Sequence, residues 1–463
     1  MSAPLLWIIF PLVVSAVLWF LKERRQLVIL LSAGLCLFLA FLAWRVPIDS
    51  LITMGPISFN ISSTLSFLGR SFILASNNSA FLILIYLIGA FWLIGASVAD
   101  VPNTFAPLGL ALISLLIAAL AVQPFLYAAL LIEVAVLLSI PMLVPLGETA
   151  GQGVIRYLIF QTLALPFILL AGWAAAGVEA NPTDQRLLIQ AVVLLGLGFT
   201  FWLAVFPFYA WVPLLAGEAH PYVAGFVLSL LPTVVLLLML DFLNAFAWLR
   251  AYPLLPEVLQ LVGSLMVITG GIWSAFQWDL SRLFGYAVII ESGFSLLALS
   301  LGNQAGLQVF AASFLPRMLA LGLWALSLSI IGKQGSANFN SLEGLLHRQP
   351  FTAVGFLLAY FSLGGLPLLA GFPMREILLE GVAQKNLMVA FWTLLGSIGF
   401  LASGFRILAV LAKSSEKTWQ IQEKWMQIVL LTGGGLALFM VGIYPRIFLS
   451  GVLNLLRAFQ RLV

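Results

Sequence analysis

Charge, histidine and cysteine are all scarce in this chain, and each shortage removes a class of function. Charged residues make up 8% of the sequence and hydrophobic ones 62%, with a mean hydropathy of +1.12. No soluble fold covers its surface with so little polarity. The bilayer is therefore the solvent. The single cysteine, Cys36, excludes disulfides and thiolate metal sites within the chain. Two histidines, His220 and His347, are too few for a bis-histidine haem and a second site. Redox chemistry by this chain is not expected, and neither are a bound cofactor, a metal or a catalytic centre. No nucleotide loop or nucleic-acid patch is present. A net charge of +4 over 463 residues reads as topological rather than as a docking surface.

Long apolar runs are abundant. A spanning helix needs about 20 apolar residues. Candidate runs are 4–21, 27–46, 79–98, 105–122, 124–146, 153–177, 187–211, 222–245, 255–277, 283–302, 305–332, 352–370, 388–412 and 426–449. They predict an all-α polytopic membrane protein of about fourteen spanning helices. A barrel would show short alternating segments instead. Little remains outside them. Pro47 to Asn78 reads as an external loop with an amphipathic stretch at Leu65, Phe67, Leu68, Phe72 and Ile73. Lys413 to Lys424 reads as a polar loop, and Val452 to Val463 as an amphipathic interfacial helix. The first run has no basic residue before it and is followed by KERR, the reverse of a signal peptide. Basic residues divide almost evenly between the two sides. The clusters after the first and thirteenth helices favour odd-numbered ends in the cytoplasm and both termini outside.

Ionisable side chains at membrane depth are expensive, roughly 3 kcal/mol or more, and so mark candidate sites. They are Glu133, Glu291, Arg317, Arg375, Glu376 and Arg406. A pentapeptide adds a second pointer. PLLAG occurs at 213–217 and again at 367–371. Each copy lies in a proline-interrupted segment, with Pro207, Pro213 and Pro221 in the first and Pro367 and Pro373 in the second. Proline removes a helix donor, and paired helix breaks in two halves point to an ion site. A chance identity among apolar residues is the plainer alternative.

Three stretches carry a family resemblance. FPFYAWVPLLAGEAHPYVAG (Phe206 to Gly225) resembles the broken seventh helix of the antiporter-like subunits of respiratory complex I and of Mrp-type cation/proton antiporters, whose pattern is close to PFHxWLPxAxxEAPTPVSA. DLSRLFGYAVIIESG (Asp279 to Gly293) is similar to the family's D-x-K-R-L-L-A-Y-S-S-I-x-x-x-G. Leu345 to Gly381 resembles its R-x-P … S-L-x-G-x-P-P-x-x-G-F-x-x-K segment. The resemblance implies a single domain over 1–463: N-terminal helices in 1–103, two inverted five-helix repeats in 104–250 and 251–412, and a C-terminal loop, helix and tail in 413–463. Helices 7 and 12 are discontinuous in such a fold.

The resemblance also implies a water-linked chain of titratable groups, and here this sequence departs from the pattern. Glu133 matches the family's helix 5 glutamate. Trp202 stands where the helix 7 lysine belongs. Nothing titrates between Leu228 and Pro232, where a helix 8 base is expected; Asp241 is the nearest charge. Glu291 replaces a usual histidine or glutamine, Arg317 a common lysine, Ser313 a frequent histidine and Arg375 the helix 12 lysine. Lysine can change protonation when buried, whereas arginine stays protonated. Fixed charge thus replaces proton carriers.

Each candidate has a functional and a bland reading. Glu133 is either a gating carboxylate or an inherited neutral one. Arg317 with Glu291 reads as a buried structural ion pair, and Arg375 with Glu376 as an interfacial pair at the helix break. Glu218 and His220 form either a proton entry group or a solvated loop pair. Arg406 snorkels or caps a carbonyl. The expected function is a membrane-arm subunit of a complex I-like NAD(P)H or ferredoxin:quinone oxidoreductase, contributing to a proton-translocating enzyme through a degenerate path. The alternatives are a subunit of an Mrp-type antiporter and a non-conducting scaffold. All three need other hydrophobic subunits as partners, no small-molecule cofactor, and a bacterial inner or thylakoid membrane or its organelle equivalent.

Overall fold

The computed structural model describes the chain except residues 1, 50, 55–56, 68, 146, 182–183, 334–337, 340–341, 414–420 and 463. Leu68, and most of the polar loop expected at Lys413 to Lys424, lie outside the described residues. A π-helical turn at Leu5–Ile9 leads into α1 (Phe10–Phe20). Next come α2 (Arg25–Arg45), α3 (Ser79–Ala99), α4 (Phe105–Ala121), α5 (Ala128–Leu143), α6 (Gln152–Ala180), α7 (Gln185–Trp202), α8 (Trp211–Glu218), α9 (Pro221–Ala245) and the short α10 (Ala247–Arg250). The second half holds α11 (Leu255–Phe276), α12 (Leu280–Ser300), α13 (Gln304–Gly332), α14 (Leu345–Arg348), α15 (Pro350–Gly364), α16 (Phe372–Lys385), α17 (Leu387–Ala412), α18 (Trp425–Ile443) and α19 (Pro445–Leu453).

Among the described residues, eleven helices are long and apolar enough to cross a membrane. Three shorter apolar helices, Leu5–Phe20, Phe105–Ala121 and Pro350–Gly364, complete the set. Together they account for every apolar run, and the chain is a multi-pass integral membrane protein. The α9, α12 and α13 helices are buried along nearly their whole length, whereas α6, α7, α17 and α18 leave most of their residues outward. The core therefore sits where the two halves meet.

The order of elements recurs. Each half has a 29-residue third helix carrying an internal proline, Pro166 in α6 and Pro316 in α13. Each then has an interrupted helix, α7 with α8 and α15 with α16. Pro207 and Pro367 lie in the unwound connections. Pro213 and Pro373 lie in the first turns of the second segments, where a missing N–H costs nothing. Both proline pairs are 160 residues apart (367 − 207 and 373 − 213). The two PLLAG copies are out of step with this spacing: the first begins inside α8, the second in the connection before α16. The pentapeptide is thus a chance identity beside two real breaks. Each connection also holds one non-glycine residue in the left-handed region, Ala204 (φ 54°) and Leu368 (φ 73°). Such a conformation costs about 1–3 kcal/mol and persists only where packing imposes it.

The loop from Pro47 to Asn78 forms two antiparallel hairpins. Strand β1 (Leu51–Met54) pairs with β2 (Ile57–Asn60), and β3 (Thr64–Phe67) pairs with β4 (Arg70–Ile73), placing Leu65 opposite Phe72. A two-residue strand, β5 (Val122–Gln123), extends the second hairpin. The C-terminal tail is not a free interfacial helix. The helical segment is α19, just upstream, and Asn454–Ala458 continues as a 3₁₀ turn. Leu455, Leu456 and Phe459 are buried, and the Arg461 N–H donates to Asn244 Oδ1 at 2.9 Å.

Candidate functional site

The second helix break assembles a buried charged cluster. Glu291 and Ser295 are four residues apart on α12 and so share one face. Arg375, in the first turn of α16, reaches inward and donates from Nη2 to Glu291 Oε1. The two side chains are only 12% and 10% exposed. Gly365 (φ 74°) makes this approach possible, because a Cβ there would lie 2.5 Å from Arg375 Cδ. The Arg375 guanidinium also lies 3.8 Å over the Phe294 ring. Arg317, from the middle of α13, donates from Nη1 to Ser295 Oγ at 2.9 Å. Ser295 Oγ in turn donates to the Glu291 backbone carbonyl at 2.9 Å. Arg317 Nε and Nη2 are buried with no partner. A cavity of about 30 Å³ lies against Glu291, Arg317, Arg375, Ser313 and Ser362, room for one or two waters.

This geometry revises two sequence readings. Glu291 is ion-paired to Arg375, not to Arg317. Arg375 is not an interfacial partner of Glu376; Glu376 is exposed. Successive helical residues diverge by about 100°, so neighbours in sequence face apart.

Among the described residues, the first half holds no comparable cluster. Glu133 on α5 is half-buried and accepts from Thr162 Oγ1 of α6 at 2.8 Å. Trp202 is buried among aromatic rings, edge-on to Phe199 at 5.8 Å. Its backbone carbonyl accepts from Gln161 Nε2 at 3.3 Å. No hydrogen bond links Glu133 to Trp202. Asp241 stands near the end of α9, and no hydrogen bond or ion pair ties it to another of the described residues.

Glu218 and His220 part company. Glu218 is exposed and accepts from the Gly153 N–H at 2.6 Å, capping the start of α6. His220 leads into α9 beside the Ala99 carbonyl, near an ionic knot in which Asp100 binds Lys333 at 3.4 Å and Arg25 at 2.5 Å. Burial pulls the His220 imidazole down to about 4; Asp100 opposes this, while Lys333 and Arg25 add to it. Arg406 caps α11, donating to the Ala275 carbonyl at 2.7 Å and also to the Gln277 carbonyl. Sequence reading missed Ser295 and Thr162. The four-residue step from Glu291 would have found the first; nothing local marks the second.

Two interrupted helices flanking buried charge define an integral membrane protein with irregular backbone at depth, an arrangement tolerated only where protein or a polar cavity receives it. A family model described as NADH:quinone oxidoreductase/Mrp antiporter, TM, matches residues 179–401. NADH-quinone oxidoreductase subunit 14 of Thermus thermophilus is 29% identical over 330 residues, covering 68% of this chain and 73% of that protein. A chain of the membrane-bound sulfane sulfur reductase, an archaeal respiratory membrane complex, superposes with a TM-score of 0.85 at 19% identity, covering 100% of this chain and 98% of its own. One from the Mrp complex of a Dietzia species gives 0.83 at 16% identity, covering 100% and 99%. Residues 179–401 thus match the membrane region described for NADH:quinone oxidoreductase and Mrp antiporters, and over about two thirds of its length the chain is similar to an NADH-quinone oxidoreductase subunit.

Proposed function

We propose that the chain is an antiporter-like membrane-arm subunit of a complex I-like oxidoreductase in a bacterial inner membrane, with a proton path reduced to a gate. The observation that carries this reading is the Glu291–Arg375 pair at the second break, with Arg317 alongside. Within that cluster only the carboxylate can change charge. A proton arriving at Glu291 would release Arg375, which then stands as fixed positive charge in place of a relay lysine. Glu133, beyond Trp202, has no basic partner and works as a lesser element. Curated relatives named as NADH-quinone oxidoreductase subunits support the redox-driven assembly. The likeness to a chain of an Mrp complex supports the second reading, a subunit of a cation/proton antiporter without redox partners.

Affinity purification of the tagged chain from its own membranes separates these readings, because the first requires co-purifying redox subunits. Glu291→Gln is expected to lower the proton-to-electron stoichiometry of the intact complex more than Glu133→Gln at equal assembly. A larger loss from Glu133→Gln moves the function to the first half, and two neutral variants make the chain a scaffold. High-resolution maps are expected to show no unbroken water file from Glu133 past Trp202 to α9.

A further inference from the structure

The charges around the second helix break do not balance. The cavity beside Arg317 is walled by one carboxylate and two guanidinium groups, and no other ionisable residue lines it. Arg375 is matched by Glu291. Arg317 is 4% exposed, its one hydrogen bond goes to a neutral hydroxyl, and its Nε and Nη2 donors are unmet. Removing an unpaired cation from water costs several kcal/mol. Water in the cavity would satisfy the donors and leave the charge.

We propose that this cavity binds a small monovalent anion of halide size, held by Arg317. Arg317 Nε and Nη2 supply two donors. Ser362 supplies a third, because its Oγ accepts from the Gly371 N–H at 3.3 Å and keeps its own proton to give. A cavity of about 30 Å³, room for one or two waters, also has room for a halide. Phe294, Met374 and Leu378 form apolar walls, which favour weakly hydrated chloride and bromide over fluoride. The anion would neutralise Arg317 and set the field felt by Glu291. The site is built from this chain alone and does not depend on which assembly the chain serves.

The test uses the full chain in detergent, exchanged into sodium gluconate. Chloride and bromide, added at constant ionic strength, are expected to raise the thermal unfolding midpoint saturably, with fluoride weaker. Bromide-soaked crystals should give an anomalous peak within hydrogen-bond reach of Arg317. Arg317→Gln should abolish the halide response. Should that variant fail to fold, Ser313→Asp provides a carboxylate on the cavity wall; its midpoint in gluconate should approach that of the wild type in chloride and lose halide dependence. A wild-type midpoint indifferent to halide, or a cavity without bromide, overturns the proposal.

Discussion

An arginine within a membrane protein is permanent charge, and Arg375 is stabilised by one carboxylate 84 residues away in sequence. Deleting one member of a buried pair strands the other, typically at about 3–5 kcal/mol. Glu291→Gln and Arg375→Gln should each lose about that much in detergent unfolding. The double variant should lose less than either, with the coupling read from a double-mutant cycle. Both residues stood out in the sequence because they fall on family motifs. Their pairing did not, because helix geometry turns Arg375 away from the adjacent Glu376 and towards α12. His220 gives a second expectation. Its folded value of about 4 lies below the ordinary value of about 6.5. As pH falls between those values, the unfolded chain takes up a proton that the folded chain refuses. Its contribution is therefore whole above about pH 6.5 and declines towards pH 4. His220→Asn should flatten the stability profile in that window. So low a value also makes His220 a poor proton acceptor near neutrality, which weighs against an entry role.

Helix count was legible because spanning length and apolar composition dictate it; helix ends were less so, the runs 187–211, 352–370 and 426–449 passing beyond Trp202, Gly364 and Ile443. How closely helices approach was less legible still. The α11 and α17 helices cross at glycine: a Cβ on Gly271 would lie 1.9 Å from the Gly396 carbonyl oxygen, and one on Gly396 would lie 2.5 Å from that of Val267. Small residues let membrane helices pack backbone to backbone. Gly271→Val should therefore cost about 3 kcal/mol or more, since overpacking here meets rigid backbone. Gly433→Ala in α18, where a Cβ meets nothing within 4 Å, should change stability by less than about 1 kcal/mol. Thermal unfolding of the two variants checks both. The external loop was read only as amphipathic, because ten residues of alternating character do not fix a partner. Pairing with Arg70–Ile73 makes β3 a strand, and Arg70–Ile73 pairs in turn with Val122–Gln123.

At the scale of the whole chain, large apolar surface stays exposed on α2, α6, α7, α17 and α18. Sequence cannot divide that surface between lipid and neighbouring subunits, because both demand the same side chains. If the proposed reading holds, the isolated chain is expected to carry no ion flux when reconstituted in vesicles under an imposed pH gradient. Robust flux from the chain alone would show a complete path within it.

The two 29-residue helices have a further consequence. At 1.5 Å per residue each is about 43 Å long, against a hydrocarbon core of about 30 Å. Tilting, bending or overhang must absorb the excess, and Pro316 gives α13 a natural bending point. Arg317 follows immediately, within one residue of the helix midpoint. A rod that pivots about its centre swings its ends and holds its middle still. Membranes of different thickness would therefore move the loops at either end of α13 and leave Arg317, Glu291 and Arg375 at constant depth. The charged cluster at the second break thus sits at a level of the bundle that changes in lipid thickness disturb least.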